Sequence, residues 1–347
     1  MKILIDGMGG DNAPDIVVEG AIMATEYTAD ELCILGREDA IRDLLREHGY
    51  QGDQISVINA TEEIENDESP VRAIRRKKDS SIVKALNMLK EGDGDVLVSA
   101  GSTGALLAGG HLILGCIDGI ERPALATVYP IIGKEPSLLL DAGANVECKP
   151  HHLLQFAYMG SLYMEEVIGR KNPVVGLVSN GVEQGKGSLL TKETYKLLDE
   201  TSLNFMGNIE ARDIPLGIAD VIVTDGFTGN VILKLSEGLA LTMMRELKYR
   251  FTSSNIAKLG AAMLKSKLYS LKQDVDYKEY GGAPILGLNN ALLKMHGSSD
   301  GYAVMRTILK AIPYVREDVV GKISKAVQRQ NELGNAKDDS KQILESK

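Results

Sequence analysis

Cysteine is scarce in this chain, and no two cysteines stand at a spacing typical of metal binding or disulfide exchange. The 347 residues include three cysteines, Cys33, Cys116 and Cys148, which are far apart and form no CxxC motif. The first two lie in apolar segments that are typical of a protein core. We therefore expect three structural thiols in a reducing compartment.

Long uninterrupted apolar runs are also absent. The first apolar stretch, residues 1–5, is far too short for a secretory signal peptide. The most apolar stretch, 105–117, is broken by Gly109, Gly110 and His111. It falls short of the roughly 20 residues that a membrane span requires. The sequence therefore predicts a cytoplasmic protein without a transmembrane helix.

The chain lacks an excess of positive charge. Lysine and arginine number 39 against 48 acidic residues, which gives a formal net charge of -9. Non-specific binding to nucleic acid is therefore disfavoured, and any acidic partner must meet a local basic patch. We expect no nucleic-acid partner.

The motifs of several common enzyme classes are missing. The glycines at 7–10 do not continue a GxGxxG fingerprint, and residues 181–187 do not match P-loop spacing. There is no GxSxG elbow, no HExxH, and no histidine cluster beyond His151 and His152. Neither a dinucleotide or ATP site nor a serine hydrolase or zinc enzyme is indicated. We expect no cofactor and no bound metal.

What the chain has instead is four short apolar runs that each end in a turn of small polar residues. These turns are residues 6–11, 99–104, 141–145 and 224–230. Each is typical of a buried strand followed by a turn whose glycines let backbone N–H groups approach a ligand, with a helix directly behind. Four such turns on one sheet edge would make an anion pocket.

Apolar runs alternate with helix-period segments through most of the chain. The clearest predicted helices are 14–27, 38–48, 70–91, 103–115, 150–168, 191–200, 229–250, 301–312 and 315–332. The alternation predicts a Rossmann-like α/β fold, with a mostly parallel sheet covered by helices on both faces. We expect a single α/β catalytic body over 1–330, with 245–275 as a projecting amphipathic helical segment and 331–347 as a flexible tail.

Several residues in these loops suit a phosphate or a developing oxyanion, although each also has a structural interpretation. Lys186 has a glycine on both sides, so it could stabilise negative charge at a reacting centre or be an ordinary solvated lysine. Thr228 and Asn230 could donate to an anion at a helix N-terminus, or Asp225 could simply cap that helix. The repetition of such turns favours function. His296 is typical of a structural donor, and its pKa also allows a catalytic base.

A first basic cluster lies at the start of the predicted helix 70–91. It consists of Arg72, Arg75, Arg76, Lys77 and Lys78. Such a run is usually a solvated face, and this interpretation is slightly favoured. The alternative is a dock for an acidic protein or a polyanionic substrate.

A second basic segment runs from Arg245 to Lys272, with seven basic residues against one acid, Glu246. Apolar residues recur between the charges at helical spacing: Ile256, Leu259, Met263, Leu264, Leu268 and Leu271. This pattern is typical of an amphipathic helix that lies on an anionic bilayer or packs on a partner. Ordinary core is the commoner origin of such a stripe.

Eight motifs stand in the order found in the bacterial PlsX-type phosphate acyltransferases. They are residues 6–11, 70–78, 99–105, 141–145, 207–213, 225–230, 280–283 and 296–300. The chain resembles this family from residue 1 to about residue 330, and so many collinear motifs make the resemblance highly specific. The chain departs from the family in the stretch 179–183, where members more often read Asn-x-Gly-x-Glu, and at Ser188, which replaces a frequent asparagine.

The resemblance implies a reaction in which acyl-[acyl-carrier-protein] and inorganic phosphate give acyl phosphate and free carrier protein for phospholipid synthesis. It also implies a fold similar to isocitrate and isopropylmalate dehydrogenases and to phosphotransacetylases, without a nicotinamide cofactor. A homodimer and peripheral contact with the inner face of the cell membrane are implied as well. The next acyltransferase of the pathway is a further candidate partner.

The resemblance also assigns roles to residues. Lys186 and Asn230 are expected closest to the chemistry, with Lys186 polarising phosphate or the thioester carbonyl and Asn230 donating to the oxyanion. Substrate or phosphate binding is expected at Asp6, Gly9, Gly10, Asp11, Ser99, Gly101, Ser102, Thr103, Asp141, Asn145, Asp225, Thr228, Gly229 and His296. The 72–78 cluster becomes a carrier-protein dock. Membrane contact is expected at Ile256, Leu259, Met263 and Leu264.

Two other functions are compatible with these residues. One is a phosphotransacetylase-like enzyme of the same fold that uses acyl-CoA. The other is a non-enzymatic scaffold that holds carrier protein at a membrane surface. Because a scaffold does not need several turns rich in hydrogen-bond donors, the turns favour an enzyme.

Overall fold

The computed structural model describes residues 1–274 and 281–329, which form two compact units. Unit 1 comprises Met1–Ala124, Glu165–Arg170 and the described part of Gly281–Lys347. Unit 2 comprises Leu125–Met164 and the described part of Lys171–Tyr280. The expected single body is thus divided in two, because each unit has its own sheet and core. The predicted tail 331–347, residue 275 of the amphipathic segment and residues 330–332 of the last predicted helix lie outside the described residues.

The strands follow one another along the chain with helices between most of them. They are β1 (Lys2–Asp6), β2 (Glu31–Gly36), β3 (Ile55–Asn59), β4 (Val96–Ser99), β5 (Ala124–Leu125), β6 (Thr127–Tyr129), β7 (Ser137–Leu140), β8 (Val175–Ser179), β9 (Phe205–Glu210), β10 (Val221–Val223), β11 (Ala283–Leu286) and β12 (Ala291–Lys294).

The helices include most of those that the sequence predicts. They are α1 (Asp15–Thr25), α2 (Glu38–Glu47), α3 (Pro70–Arg76), α4 (Ser81–Glu91), α5 (Thr103–Gly109), α6 (Pro150–Glu166), α7 (Leu189–Asp199), α8 (Gly226–Thr252), α9 (Asn255–Met263), α10 (Lys265–Asp274) and α11 (Gly301–Arg316). A π-helical turn, Gly110–Leu114, follows α5, and residues 319–329 are also helical. In the described ranges, no helix is both long enough and apolar enough to cross a bilayer.

Unit 1 is built on a seven-stranded sheet in the order β3-β2-β1-β4-β12-β11-β5. The strands from β3 to β12 in this order run parallel, and β11 is antiparallel to β12. The run Ile3, Leu4 and Ile5 is fully buried. A continuous apolar run of this kind is what a parallel strand covered on both faces requires. The turns after β1, β4 and β12 therefore lie at the same edge of this sheet.

Unit 2 is built on a five-stranded sheet in the order β6-β7-β10-β8-β9. The strands β7, β10, β8 and β9 are parallel, and β6 is antiparallel to β7. Leu138, Leu139 and Leu140 are fully buried. The α/β class with mostly parallel sheets is confirmed. The four polar turns, however, do not share one sheet edge as we expected, since two follow strands of each sheet.

Two further features differ from the sequence prediction. The helix predicted over 70–91 is broken into α3 and α4, because the Ser80 hydroxyl starts a new helix by accepting the Val83 N–H at 3.4 Å. The strands β11 and β12 were not predicted. The three cysteines form no disulfide with a described residue, and burial raises the pKa of Cys33 and Cys116, as suits a structural role.

Candidate functional site

A buried aspartate at the end of β1 organises the polar turns of unit 1. The Asp6 carboxylate accepts the Ser99 hydroxyl at 2.6 Å and the Met8 N–H at 3.2 Å. The Ser99 oxygen in turn accepts the Gly101 N–H at 3.0 Å. A Cβ on Gly9 would overlap the Asp6 carboxylate and the Gly101 backbone, so this close approach requires glycine. Asp6 thus joins the turn after β1 to the turn after β4.

The turn after β12 joins the same cluster. The Asp11 N–H donates to the Gly297 carbonyl at 2.8 Å. His296 Nδ1 lies 2.8 Å from the Ser298 hydroxyl and accepts the Ser298 N–H at 3.2 Å, so this nitrogen serves its own turn. The residues predicted for substrate binding in unit 1 all belong to these three turns: Asp6, Gly9, Gly10, Asp11, Ser99, Gly101, Ser102, Thr103 and His296.

In unit 2 a second buried aspartate, Asp141, organises the turn that follows β7. Its carboxylate accepts the N–H groups of Gly143 and Ala144 at 3.1 and 2.9 Å. It also accepts the Asn145 N–H at 2.6 Å, the Asn145 side-chain amide at 2.8 Å and the Leu125 N–H at 3.1 Å. Burial raises the pKa of Asp141. These amides point at Asp141, so they do not form the open anion cradle that we expected of this turn.

The turn after β10 closes against the Asp141 turn and starts α8. Asp225 caps the helix, because its carboxylate accepts the Thr228 N–H at 2.9 Å and the Thr228 hydroxyl at 2.8 Å. The Gly226 N–H donates to the Asn145 carbonyl at 2.7 Å. A Cβ on Gly229 would overlap the Asp141 carbonyl oxygen. The capping interpretation is therefore correct for Asp225, and both donors of Thr228 are engaged by it.

Unlike Asp225 and Thr228, Lys186 and Asn230 do not use their side chains to hold the turns of unit 2 together. Both side chains are exposed, and neither has a hydrogen bond or ion pair with a residue that the structure describes. The Lys186 stem lies against Gly181, where an added Cβ would be 2.9 Å from the lysine Cγ. Asn230 lies over Gly143, where an added Cβ would be 3.5 Å from the asparagine Cβ. These two donors remain available to a ligand.

A pocket of about 730 Å³ opens at this edge of the unit 2 sheet. It is open to solvent on one side and is lined by the loop after β8, the end of β9 and the first turns of α7 and α8. Its lining includes Gly187, which follows Lys186 in the chain, and Val231, which follows Asn230. The pocket therefore adjoins both available donors.

The sequence did not predict most of the residues that line this pocket. Leu153 and Val178 lie in predicted elements but had no assigned role. Glu210 ends β9 and Arg212 follows it, with Arg212 Nη2 2.5 Å from Glu210 Oε2. Because ligands bind at the carboxyl ends of parallel strands, the position of these two residues at the end of β9 was the available signal.

The first basic cluster lies on and just after α3 in unit 1. Arg72, Arg75 and Arg76 are exposed, and none of them pairs with a described residue. Lys77 Nζ is engaged by the Glu68 carboxylate and the Glu63 carbonyl, each at 2.5 Å. Lys78 reaches the Ile74 carbonyl at 3.3 Å. The three arginines are thus the available part of the cluster.

The predicted membrane residues lie at α9 in unit 2. Ile256, Leu259, Met263 and Leu264 are 85%, 67%, 81% and 47% exposed, and α9 contains no buried residue. Their spacing places them on one face of the helix. Within the described residues this stripe is therefore not core, contrary to the commoner explanation of such a pattern.

Comparison with known proteins shows the family of this chain. Residues 1–322 match the model of a family described as fatty acid synthesis protein. The chain is 51% identical over 327 residues to a phosphate acyltransferase of Alkaliphilus oremlandii, covering 94% of this chain and 97% of the relative. It is 44% identical over 339 residues to a phosphate acyltransferase of Clostridioides difficile, covering 98% of this chain and 100% of the relative.

Solved structures share the fold at low sequence identity. A phosphotransacetylase of Streptococcus pyogenes superposes with a TM-score of 0.61 at 18% identity, covering 92% of this chain and 94% of that one. A branched-chain phosphotransacylase of Enterococcus faecalis gives 0.56 at 14% identity, covering 90% and 99%. The predicted likeness to phosphotransacetylases is confirmed. The chain belongs to the PlsX-type phosphate acyltransferase family and is an acyltransferase that forms acyl phosphate.

Proposed function

We propose that the chain transfers an acyl group from the thioester of acyl-[acyl-carrier-protein] to inorganic phosphate, with Lys186 and Asn230 as the catalytic donors. The observation that carries this proposal is the contrast within unit 2. There, Asp141, Asp225 and Thr228 are engaged with their own turns, whereas Lys186 and Asn230 flank the pocket without a described partner.

The reaction needs no protein nucleophile, because phosphate itself attacks. A phosphate oxygen forms a bond to the thioester carbonyl carbon, and the carbonyl electrons move onto its oxygen. When that oxyanion collapses, the carbon–sulfur bond breaks, and the sulfur leaves with the bonding pair and takes up a proton. The Lys186 ammonium offsets charge on phosphate or on the carbonyl oxygen, and the Asn230 amide donates to the oxyanion.

Replacing Lys186 tests the proposal directly. Lys186→Ala should lower phosphate-dependent release of the carrier thiol by roughly a hundredfold or more, the scale for losing one charge-stabilising donor. Lys192→Ala, an exposed lysine on α7, is the matched control and should behave like wild type. Near wild-type turnover of Lys186→Ala would contradict its role.

The choice of donor separates the proposal from its two rivals. Acyl-carrier-protein and acetyl-CoA are compared at equal concentration with the wild-type chain. A clear preference for acetyl-CoA would indicate a phosphotransacetylase. A scaffold would form no acyl phosphate from either donor at any phosphate concentration.

We propose that the acidic carrier protein docks on Arg72, Arg75 and Arg76. These arginines are exposed and lack described partners, so their charge is available to a partner of opposite sign. Lys77 and Lys78, which are held by their own unit, contribute less.

We also propose that α9 contacts an anionic membrane from the cytoplasmic side. Its exposed apolar stripe is accompanied by Lys258 and, just beyond the helix, Lys265 and Lys267. Such a face combines apolar insertion with attraction to acidic headgroups. Replacing Leu259 and Met263 with Asp should abolish co-sedimentation with anionic vesicles and leave soluble activity intact. Unchanged co-sedimentation would assign the stripe to a protein contact.

We propose further that a homodimer forms through α8. Leu235, Leu239 and Met243, spaced by four residues, are 68%, 58% and 57% exposed. An exposed apolar stripe of this kind is typical of a protein interface. Leu239→Glu should halve the mass measured by light scattering, whereas Lys234→Glu on the same helix should not. A wild-type chain that is already monomeric would refute the dimer.

A further inference from the structure

The side chains that line the unit 2 pocket range from buried to strongly exposed. Leu153 at the floor is only 2% exposed. Val178 from β8 and Ile232 from α8 line the walls and are half-buried. Phe227 is strongly exposed and marks the open side. These residues form an apolar slot along one side of the pocket, whereas Asn180, Glu210, Arg212 and Asp225 also line it.

One end of the slot offers polar groups. The Ser179 hydroxyl is buried and has no hydrogen-bond partner among the described residues. It faces Gly187, where an added Cβ would lie 2.8 Å from the Ser179 oxygen. The next residue, Ser188, caps α7 by accepting the Thr191 N–H at 3.2 Å. The loop that carries Lys186 therefore meets the apolar slot at its polar end.

We propose that this pocket binds the acyl chain of the substrate and limits its length, an inference that rests on the proposed acyl transfer. The apolar walls fit a hydrocarbon chain, and the volume lies in the range of roughly 300–1,000 Å³ that is usual for small-molecule sites. With the tail against Val178 and Ile232, the carbonyl lies at the end where Ser179 supplies a free hydroxyl. Lys186 adjoins that end through Gly187, and Asn230 directly precedes Val231 of the pocket lining.

The apolar side of the pocket fits an acyl chain better than it fits the rest of a thioester donor. A pantetheine arm or a nucleotide carries amides, hydroxyls and phosphates along its length, and these would lose hydrogen bonds against Leu153, Val178 and Ile232. A hydrocarbon gains affinity with each buried methylene. The polar remainder of the donor is therefore assigned to the region outside the slot.

Two substitutions that fill the slot from different elements, β8 and α8, test this inference. Val178→Phe and Ile232→Trp should each weaken binding of a dansyl-labelled undecanoic acid, followed by its fluorescence, by roughly tenfold or more. This is the scale for displacing two or more buried methylenes. In turnover, both should lower kcat/KM for a hexadecanoyl donor by a similar factor and change a butanoyl donor less than about twofold.

Matched controls place similar bulk outside the slot. Met206→Phe on β9 and Leu241→Trp on α8 replace exposed apolar residues that do not line the pocket. They should bind the probe and process both donors like wild type. Circular dichroism and light scattering establish that every variant keeps its fold and mass.

The outcomes separate the inference from the proposed function. If the filled variants bind the probe as tightly as wild type, or lose long and short donors equally, the pocket does not hold the chain. The same conclusion follows if Leu241→Trp loses the probe as well, because the effect then does not depend on the slot. If the filled variants alone lose the probe but the wild type forms no acyl phosphate, the pocket assignment stands and the proposed reaction fails.

Discussion

The two units place a buried aspartate at the end of a central strand and use it in different ways. In unit 1, Asp6 bonds across to the neighbouring strand through Ser99, so it joins two turns. In unit 2, Asp141 folds its own turn by accepting the amides of Ala144 and Asn145. Similar sequence patterns thus give similar turns, and the chemistry depends on which donors these turns leave unused.

The largest expected effect is on stability, and it should differ between the two aspartates. Asp141→Ala leaves several buried N–H groups without an acceptor, so we expect it to lower the free energy of unfolding by about 3–5 kcal/mol. Asp6→Ala removes an acceptor from one N–H and one hydroxyl, and should cost about 2 kcal/mol. Urea denaturation followed by circular dichroism measures both, since the chain has no tryptophan. A larger loss for Asp6→Ala would reverse the comparison.

The next effect is on rate, and it should be confined to unit 2. Asn230→Ala should lower kcat for acyl phosphate formation by roughly a hundredfold, since its amide is available for the oxyanion. His296→Ala in unit 1 should lower it by less than about tenfold, because Nδ1 already serves the Ser298 turn. Steady-state kinetics measure the kcat of both variants. Equal losses would contradict the assignment of the chemistry to the turns of unit 2.

Acid should affect buried carboxyls of the two units in opposite directions. Burial alone would raise the pKa of Asp30 in unit 1. Hydrogen bonds from the Met1 ammonium and Thr28, together with the nearby positive charges of that ammonium and of Arg316, bring the pKa below its ordinary value. Its stabilisation is therefore present above about pH 4 and is lost as the pH falls through the folded-state pKa. For Asp141, whose pKa is raised, stability declines as the pH rises from about 4 toward the folded-state pKa.

Asp30→Asn isolates the unit 1 contribution. At pH 7 it should lower the free energy of unfolding by about 1.5–3 kcal/mol, because charge-assisted hydrogen bonds are lost. At pH 3 the difference from wild type should shrink, since the wild-type carboxyl then begins to take up a proton. Thermal unfolding at the two pH values provides the measurement. A difference that grows in acid would contradict the assignment.

The sequence predicted the strands that lead into the polar turns because each is a short, fully apolar run that ends in a turn of small polar residues. It missed β11 and β12 for a physical reason. Pro284 disfavours a strand, and Ala291, Leu292 and Leu293 are good helix formers. They form a strand because β12 pairs with β4 along its whole length, from Ala291 opposite Val96 to Lys294 opposite Ser99. That contact is remote in the chain, so no local pattern reveals it.

The candidate site was predictable only in part for a related reason. Residue types and turns identified Lys186 and Asn230 as possible hydrogen-bond donors. Thr228 and Asn145 also carry donors and lie in turns of the same kind. Only the hydrogen bonds show that the latter two are engaged. The pocket walls were invisible in the sequence, because Leu153 and Val178 are ordinary apolar residues of a helix and a strand.

The smallest expected effect concerns the surfaces of the two units. Replacing Arg72, Arg75 and Arg76 with Ala should raise KM for the carrier-protein donor by roughly tenfold, with kcat unchanged, because docking depends on long-range attraction to an acidic partner. The increase should diminish as salt is added.

The matched control is Arg42→Ala with Arg46→Ala on α2, where both arginines are already paired within their helix. An acyl-CoA donor, which needs no protein dock, should be unaffected. If KM for carrier protein responds instead to Lys258→Ala and Lys265→Ala, docking belongs to unit 2, and the basic face of α3 is a solvated surface.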